Sequence, residues 1–138
     1  AAVFVSAESH KIHFNNKCGR GTPAIYRNFQ KLNNGNDYTH NGRLDAAIAY
    51  LDTGCAFQGD GCGIVEMTLI NGGISSTDIS LIPNHKFSVP ISFKYTNGCT
   101  GSASCGNANC PTTQAFHKTD DYEAQRQCNK NDVSMVFS

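Results

Sequence analysis

Three cysteines, Cys99, Cys105 and Cys110, stand within twelve residues in a stretch rich in glycine, serine and asparagine. A tetrahedral zinc site usually needs a closer pair of ligands, and the nearest histidine, His117, lies seven positions beyond Cys110. A catalytic thiol needs a neighbouring base, which this stretch does not offer. The composition therefore favours disulfide bonds that hold a loop with no core of its own, each worth about 2–4 kcal/mol.

Amide and aromatic side chains suited to carbohydrate recognition cluster in residues 33–43 (NNGNDYTHNGR) and in the stretches PNHKF and KYTNG. Planar polar groups exchange hydrogen bonds with sugar hydroxyls, and aromatic rings cover the apolar face of a sugar. Asparagine-rich loops also form ordinary turns, because asparagine tolerates left-handed backbone geometry. The predicted glycan contacts are Asp37, Tyr38, His40, Asn41, Asn84, His85 and Tyr95.

Catalysis is the competing function. A small secreted ribonuclease needs a base, an acid and a cation for the developing phosphoryl charge. The base and the acid could come from His40, Glu66 and His85, and the cation could be Arg27 or Arg43. Exposed turn and strand positions explain the same side chains without any reaction, so the ribonuclease is the alternative rather than the main prediction.

Glycosidase chemistry needs two carboxylates across a sugar. The sequence offers no obvious pair on neighbouring strand ends, and Asp60 with Glu66 comes nearest to one. The common metalloprotease, hydrolase and phosphate-binding motifs are absent. The sequence therefore predicts a binding protein with no catalytic residues, no metal ligands and no cofactor. An inhibitor of foreign enzymes is a third function class, because disulfide-held loops suit it as well.

The chain has 138 residues, enough for one domain, and eleven basic residues balance eleven acidic ones. This balance argues against a nucleic-acid partner, and no apolar run approaches the ~20 residues that cross a bilayer. Residues 1–7 end in small residues that fit a secretory cleavage site, although an ordinary first strand is the alternative. We expect a signal-peptide remnant over 1–7 and one secreted glycan-binding domain over 8–138.

The elements that must position these side chains are one helix and several strands. Residues 41–54 (NGRLDAAIAYLDTG) predict an amphipathic helix, with Leu44, Ala47, Ile48 and Leu51 on one stripe. Alternation predicts strands in KIHFNN, as an edge strand, in GIVEMTLING, STDISLIP and KFSVPISFKYTN, and over 133–137. The expected fold class is α+β, a small disulfide-held antiparallel sheet with one or two helices packed on it.

Five stretches carry a family resemblance: CGRGTP, NGRLDAAIAYLDTG, GDGCGIVEMTLING, SSTDISLIPNHKFSVPISFKYTNGC and GNANCPTTQAFH. Together they resemble the small secreted proteins of mushroom-forming fungi often labelled glycopeptide, over nearly all of the chain. The resemblance implies a lectin-like domain that binds N-glycan antennae of the fucosylated GalNAc-GlcNAc type, with an antiviral and cytotoxic role in fungal defence. It implies glycoprotein glycans as partners and a homodimer joined at exposed sheet edges.

A weaker likeness links residues 78–111 to the thaumatin-like proteins, whose pattern of DIS, VP and spaced cysteines is similar. This likeness implies the disulfides Cys55–Cys62, Cys99–Cys128 and Cys105–Cys110. In that family the first cysteine bonds one at the extreme C-terminus, where this chain has Ser138, so Cys18 is expected to be the free thiol. A reduced thaumatin-like β-sandwich is the alternative fold, although thaumatin-like proteins often carry an acidic cleft that the sequence does not reveal here.

Overall fold

A computed structural model describes residues 7–129 and 132–138, which form two packed β-sheets. The strands are β1 Ser9–Asn16, β2 Thr22–Arg27, β3 Gln30–Lys31, β4 Tyr38–Asn41, β5 Leu44–Asp52, β6 Ile64–Leu69, β7 Ser75–Ser80, β8 Ile91–Tyr95, β9 Ser102–Cys105, β10 Ala115–Phe116, β11 Arg126–Cys128 and β12 Val133–Phe137. Single 3-10 turns cover Phe57–Gly59 and Tyr122–Ala124. Residues 1–6, which make up all but the last residue of the predicted signal remnant, lie outside the described residues. Residues 130 and 131, which precede the last strand, also lie outside them.

The strands divide into two sheets that share one hydrophobic core. Sheet A has the order β4-β1-β12-β8-β9, and sheet B has the order β10-β7-β6-β5-β2-β3, with β11 also pairing with β7. Residues from both sheets form the larger core cluster, which includes Ile12, Met67 and Phe93. No helix in the described part of the chain is long and apolar enough to span a membrane.

The first and last strands of the described residues meet at the centre of sheet A. β1 pairs in parallel with β12, and β12 pairs antiparallel with β8. The prediction of an edge strand over 11–16 is therefore wrong in its position, since β1 lies between β4 and β12. The face predicted for the last strand is confirmed, because Val133, Met135 and Phe137 are all buried.

The predicted helix over 41–54 is wrong, and so is the α+β fold class that depended on it. Residues 44–52 form β5, which lies between β2 and β6 in sheet B. Its register shifts between Leu44 and Ala47, and Ala46 between them has a φ of +48°. This β-bulge inserts one extra residue and changes the spacing of buried side chains from two to three. Buried side chains three residues apart then resemble the apolar stripe of an amphipathic helix.

Burial on both faces of β5 explains the rest of the helical signal. Ala47, Ala49 and Leu51 face the core between the sheets, whereas Tyr50 packs with Ile64 in a second, smaller cluster on the other face. A strand buried on both faces shows a nearly continuous apolar run instead of clean alternation. The two-sheet sandwich is the architecture that stood as the alternative expectation.

The strand prediction for GIVEMTLING holds, whereas in KFSVPISFKYTN only residues 91–95 form a strand. In β6, Val65, Met67 and Leu69 are buried in the core between the sheets, whereas Glu66 is exposed on the opposite face, as the alternation indicated. Pro90 lies immediately before β8 and not inside it. Proline cannot donate a hydrogen bond to a neighbouring strand, and its position before β8 means that no such bond is lost.

Three disulfide bonds join the cysteine pairs that the thaumatin likeness implied: Cys55–Cys62, Cys99–Cys128 and Cys105–Cys110. Their Cα–Cα distances of 5.8, 6.2 and 5.3 Å fall within the usual range for disulfides. Cys18 is free and half-buried. The second bond links the segment after β8 in sheet A to β11 in sheet B, and so ties the two sheets together.

Replacing both Cys99 and Cys128 with serine is expected to lower the free energy of unfolding by about 3–4 kcal/mol, because the bond closes a loop with a sequence separation of 29. Urea denaturation of the oxidised proteins measures the change. Cys18→Ser is the matched control and should cost less than about 1 kcal/mol. Equal losses in the two variants would show that this crosslink contributes nothing beyond an ordinary cysteine replacement.

Candidate functional site

A row of four side chains crosses the outer face of sheet B, the face turned away from sheet A. Tyr26 on β2 pairs with Ile48 on β5, Ile48 pairs with Glu66 on β6, and Glu66 pairs with Asp78 on β7. The residues next to them in sequence, such as Val65, point into the core. Because side chains alternate along each strand, the register brings these four onto one surface.

The acid end of this row lies in a cavity of about 210 Å³, lined by Ala46, Glu66, Met67, Thr68, Ser76, Asp78 and Gln125. We call this cavity the acidic groove. Glu66 and Asp78 stand directly opposite each other on antiparallel strands, so their Cβ atoms are roughly 4.5–5.5 Å apart. The groove therefore holds two neighbouring carboxyl groups among hydroxyl and amide side chains.

The β-bulge in β5 shapes one side of the acidic groove. Ala46 donates a backbone hydrogen bond of 3.0 Å to the hydroxyl oxygen of Thr68 instead of joining the regular ladder. Positive φ values are uncommon for residues other than glycine, and they concentrate in bulges and at functional sites. The side chain is a methyl group, so the groove stays open above the strand.

The surroundings raise the pKa of both carboxyl groups, although only Asp78 is buried. Asp78 is only 8% exposed, and this desolvation, together with the nearby charge of Glu66, raises its pKa to about 7. Desolvation also raises the pKa of Glu66, and the positive charge of His85 opposes that rise. At pH 7 Asp78 is therefore about half protonated.

His85 lies in the loop between β7 and β8 and interacts electrostatically with Glu66 of the acidic groove. Its Nδ1 donates a 3.0 Å hydrogen bond to the carbonyl of Gly59, and its Nε2 is 3.9 Å from Asp60. Gly59 and Asp60 belong to the loop that the Cys55–Cys62 disulfide closes. His85 therefore interacts with both Asp60 and Glu66, the two acids that came nearest to a pair in the sequence but were not predicted to form one.

Aromatic rings flank the other end of the row. Tyr26 stacks on Tyr50 with ring centroids 6.2 Å apart, and Phe57 meets Tyr26 edge-on at 5.5 Å. Phe57 is 59% exposed. With neighbouring strands about 4.8 Å apart, Tyr26 lies roughly 10 Å from Glu66 along the row. An apolar platform and a pair of carboxyl groups therefore share one surface at a distance that a short oligosaccharide spans.

The first group of predicted glycan contacts lies elsewhere, at the β4 edge of sheet A. Asp37 bonds Nδ1 of His13 at 2.6 Å and accepts a hydrogen bond from the backbone of Phe14 at 2.9 Å. Burial opposes ionisation of Asp37, but these two hydrogen bonds outweigh it and lower its pKa. The Tyr38 hydroxyl lies 2.8 Å from Nδ1 of His40. The hydrogen bonds of these polar groups are therefore made mainly within the protein.

Asn41 is exposed at the end of β4, opposite Ser9 on β1, and the backbone carbonyl of Asn84 accepts a hydrogen bond from Gly61. The expectation for Tyr95 is wrong, because the side chain is buried and its hydroxyl donates to the carbonyl of Arg126. Tyr95 points inward since it alternates with the exposed Lys94. The seven predicted residues do not form one site, and His85 is the member that interacts with Glu66 of the acidic groove.

The ribonuclease trio is not assembled either. Glu66 and His85 interact at the outer side of sheet B. His40 lies on β4 of sheet A, opposite the buried His10, so sheet B stands between it and Glu66. Of the two arginines considered, Arg27 donates to the backbone carbonyl of Asp45 and Arg43 pairs with the carboxylate of Asp45.

Sequence reasoning missed Asp78, Tyr26 and Gln125 as members of the site. The available signal was the alternation in GIVEMTLI and STDISLI, which puts Glu66 and Asp78 on equivalent faces of consecutive strands. Pairing these two strands as a hairpin would have placed the acids opposite each other. Because residues 41–54 were predicted to form a helix, the predicted sheet lacked β5, the strand next to β6. The sequence therefore did not indicate a site on this sheet.

A comparison with models of known protein families matches none of them, and a search of curated proteins finds no relative of this chain.

Proposed function

We propose that this protein binds carbohydrate, with the acidic groove as the principal site. The observation that carries the proposal is the row of Tyr26, Ile48, Glu66 and Asp78 across one face of sheet B. Sugar recognition needs directional polar groups beside an apolar surface, because a pyranose ring has hydroxyls at its edge and C–H groups on its face. This row supplies both.

The polar groups complement sugar hydroxyls in both directions. The Glu66 carboxylate accepts hydrogen bonds, and Asp78, whose pKa is raised to about 7, both donates and accepts them in its protonated form. Thr68, Ser76 and Gln125 line the same cavity and add hydroxyl and amide groups. Hydrogen bonds that involve a charged group are about twice as strong as neutral ones, so Glu66 should contribute most to affinity.

The sequence resemblance suggests the ligand and the setting. We propose an N-glycan antenna of the fucosylated GalNAc-GlcNAc type as the ligand, and secretion as the route by which the protein meets it in defence against viruses or foreign cells. Three disulfides are compatible with an oxidising extracellular setting. For the proposed homodimer, β4 is the more open edge of sheet A, because the Gln114 side chain accepts a hydrogen bond from Ser104 at the β9 edge.

Replacing Glu66 with glutamine should weaken glycan binding by about tenfold or more, because the amide keeps the shape of the side chain but removes its charge. A glycan array, followed by titration calorimetry with the best glycan, measures the effect. Glu123→Gln, at an exposed acid in the 3-10 turn Tyr122–Ala124, is the matched control and should bind like the wild type. An empty array with the folded wild-type protein, or equal affinity in both variants, would contradict the proposal.

A second candidate, a retaining glycosidase, is favoured by the carboxyl pair itself. Cβ atoms roughly 4.5–5.5 Å apart allow the two carboxyl groups to reach the roughly 5–5.5 Å separation that is typical of retaining enzymes. Protonated Asp78 would give its proton to the glycosidic oxygen, so that the leaving group departs as an alcohol while the Glu66 carboxylate attacks the anomeric carbon. Asp78 would then take a proton from the water that hydrolyses the glycosyl ester, which restores both groups. The array glycans therefore need an assay for new reducing ends. Reducing ends that appear with the wild type and vanish with Glu66→Gln indicate hydrolysis, and binding without them indicates a lectin.

A further inference from the structure

A second cavity, of about 310 Å³, lies on the outer face of sheet A, on the opposite side of the sandwich from the acidic groove. We call it the serine groove. Its outward-facing lining residues are Ser92, Lys94, Ser102, Ser104, Gln114, Ser134 and Val136. None of them lines the acidic groove, so this inference does not rest on the function proposed for that site.

The strand register builds the floor of the serine groove as two short rows. In the first row, Lys94 on β8 pairs with Ser134 on β12 and with Ser102 on β9. In the second row, Ser92 pairs with Val136 and with Ser104 in the same way. Serine side chains are small, so a sheet face made largely of serines forms a shallow depression.

The alternating residues fix these side chains on the outside. Phe93, Ala103 and Met135 occupy the positions between them and are buried in the core. A change of register would expose those apolar groups, so the outward direction of the serines is strongly determined. The serine groove is therefore a preformed surface of a rigid sheet and not a property of a loop.

The charge of the serine groove is positive. Lys94 is exposed, and no carboxylate of the described residues 7–129 and 132–138 lines the cavity. The ion pairs found among the described residues are His10–Glu8, His13–Asp37, Arg43–Asp45 and His85–Asp60, so none of them engages Lys94. At the border, the guanidinium of Arg126 donates to the carbonyls of Ser102, Thr113 and Glu123. It keeps its positive charge beside the cavity.

We propose that the serine groove is a second carbohydrate site that takes a sugar carrying a carboxylate. Lys94 and the nearby Arg126 would attract the carboxylate, and serine hydroxyls exchange hydrogen bonds with sugar hydroxyls in either direction. Gln114 adds an amide at the border, and Val136 offers a small apolar surface to the ring. The volume suits one or two sugar units. The acidic groove, which bears negative charge, would repel the same ligand.

Chemical-shift mapping of the full-length protein with sialyllactose tests this proposal, with lactose as the neutral probe and lactose sulfate as the probe with a different anion. Sialyllactose is expected to shift the backbone amides of Ser92, Lys94, Ser102 and Ser134. Lys94→Gln should weaken its binding by about tenfold or more. Lys11→Gln, at an exposed lysine on the same sheet but outside the cavity, should leave it unchanged.

Several results would overturn the proposal. Equal binding of lactose would mean that charge plays no part, and preference for lactose sulfate would mean that the site does not select a carboxylate. Shifts confined to the acidic groove, or the absence of saturable binding, would remove the site altogether. Because the two grooves share no residue, failure here leaves the Glu66→Gln experiment as an independent test of the acidic groove.

Discussion

Replacing Asp78 with asparagine is expected to stabilise the protein at pH 8 by about 2–4 kcal/mol. The native carboxyl has a pKa of about 7 because it is desolvated and lies opposite Glu66. The same group in an unfolded chain has a pKa of about 3.9, and each unit of difference is worth about 1.4 kcal/mol. Asparagine resembles the protonated acid in shape and removes the cost of ionising a buried group.

The sign of the pH dependence follows from proton binding. Between about pH 4 and pH 7 the folded protein holds the Asp78 proton more tightly than the unfolded chain, so this group makes stability fall as pH rises. The advantage of Asp78→Asn should therefore be absent at pH 4, grow by up to about 1.4 kcal/mol per pH unit, and level off above pH 7.

Urea denaturation of the wild type and the Asp78→Asn variant at pH 4, 6 and 8 measures this trend. Asp120→Asn, at an exposed acid outside both grooves, is the matched control and should show no such trend. Equal stability of the wild type and the Asp78 variant at pH 8 would mean that the surroundings do not raise the pKa of this carboxyl. The acidic groove would then lose its proton-sharing pair.

Replacing Phe137 with alanine is expected to lower the free energy of unfolding by about 3–5 kcal/mol. The ring is fully buried and stacks on Phe14 with centroids 6.1 Å apart. It stands where β12 is paired on both sides, opposite Asn16 on β1 and Ile91 on β8. Truncating it would open a cavity beneath the strand that joins the two halves of sheet A.

Chemical denaturation measures the loss, and the neighbouring residue supplies the control. Val136 belongs to the same strand but faces outward and is half-buried, so Val136→Ala should cost less than about 1.5 kcal/mol. Similar losses at the two positions would mean that the inward-facing side chains of β12 contribute no more to the free energy of unfolding than the outward-facing ones. That result would contradict the assigned register.

Much of the fold follows directly from local sequence pattern. Clean alternation identified β6 and β12 and the faces they bury, because each of those strands has one apolar side in the core between the sheets. The stretch rich in cysteine and glycine indicated disulfides, because its small and polar residues form no core of their own. The pairing of the cysteines came from resemblance, since connectivity cannot be read from spacing alone.

The sequence by itself determined the alternating strands, the use of the cysteines in disulfides, and the acid and aromatic residue types available for binding. The tertiary structure decided that residues 44–52 form a strand, that Tyr95 is buried, and that Glu66 meets Asp78. Local pattern reports which residues avoid water. Strand register and a single-residue bulge, which depend on partners distant in sequence, decide which polar groups share a surface and how far their acidity departs from that of the free side chains.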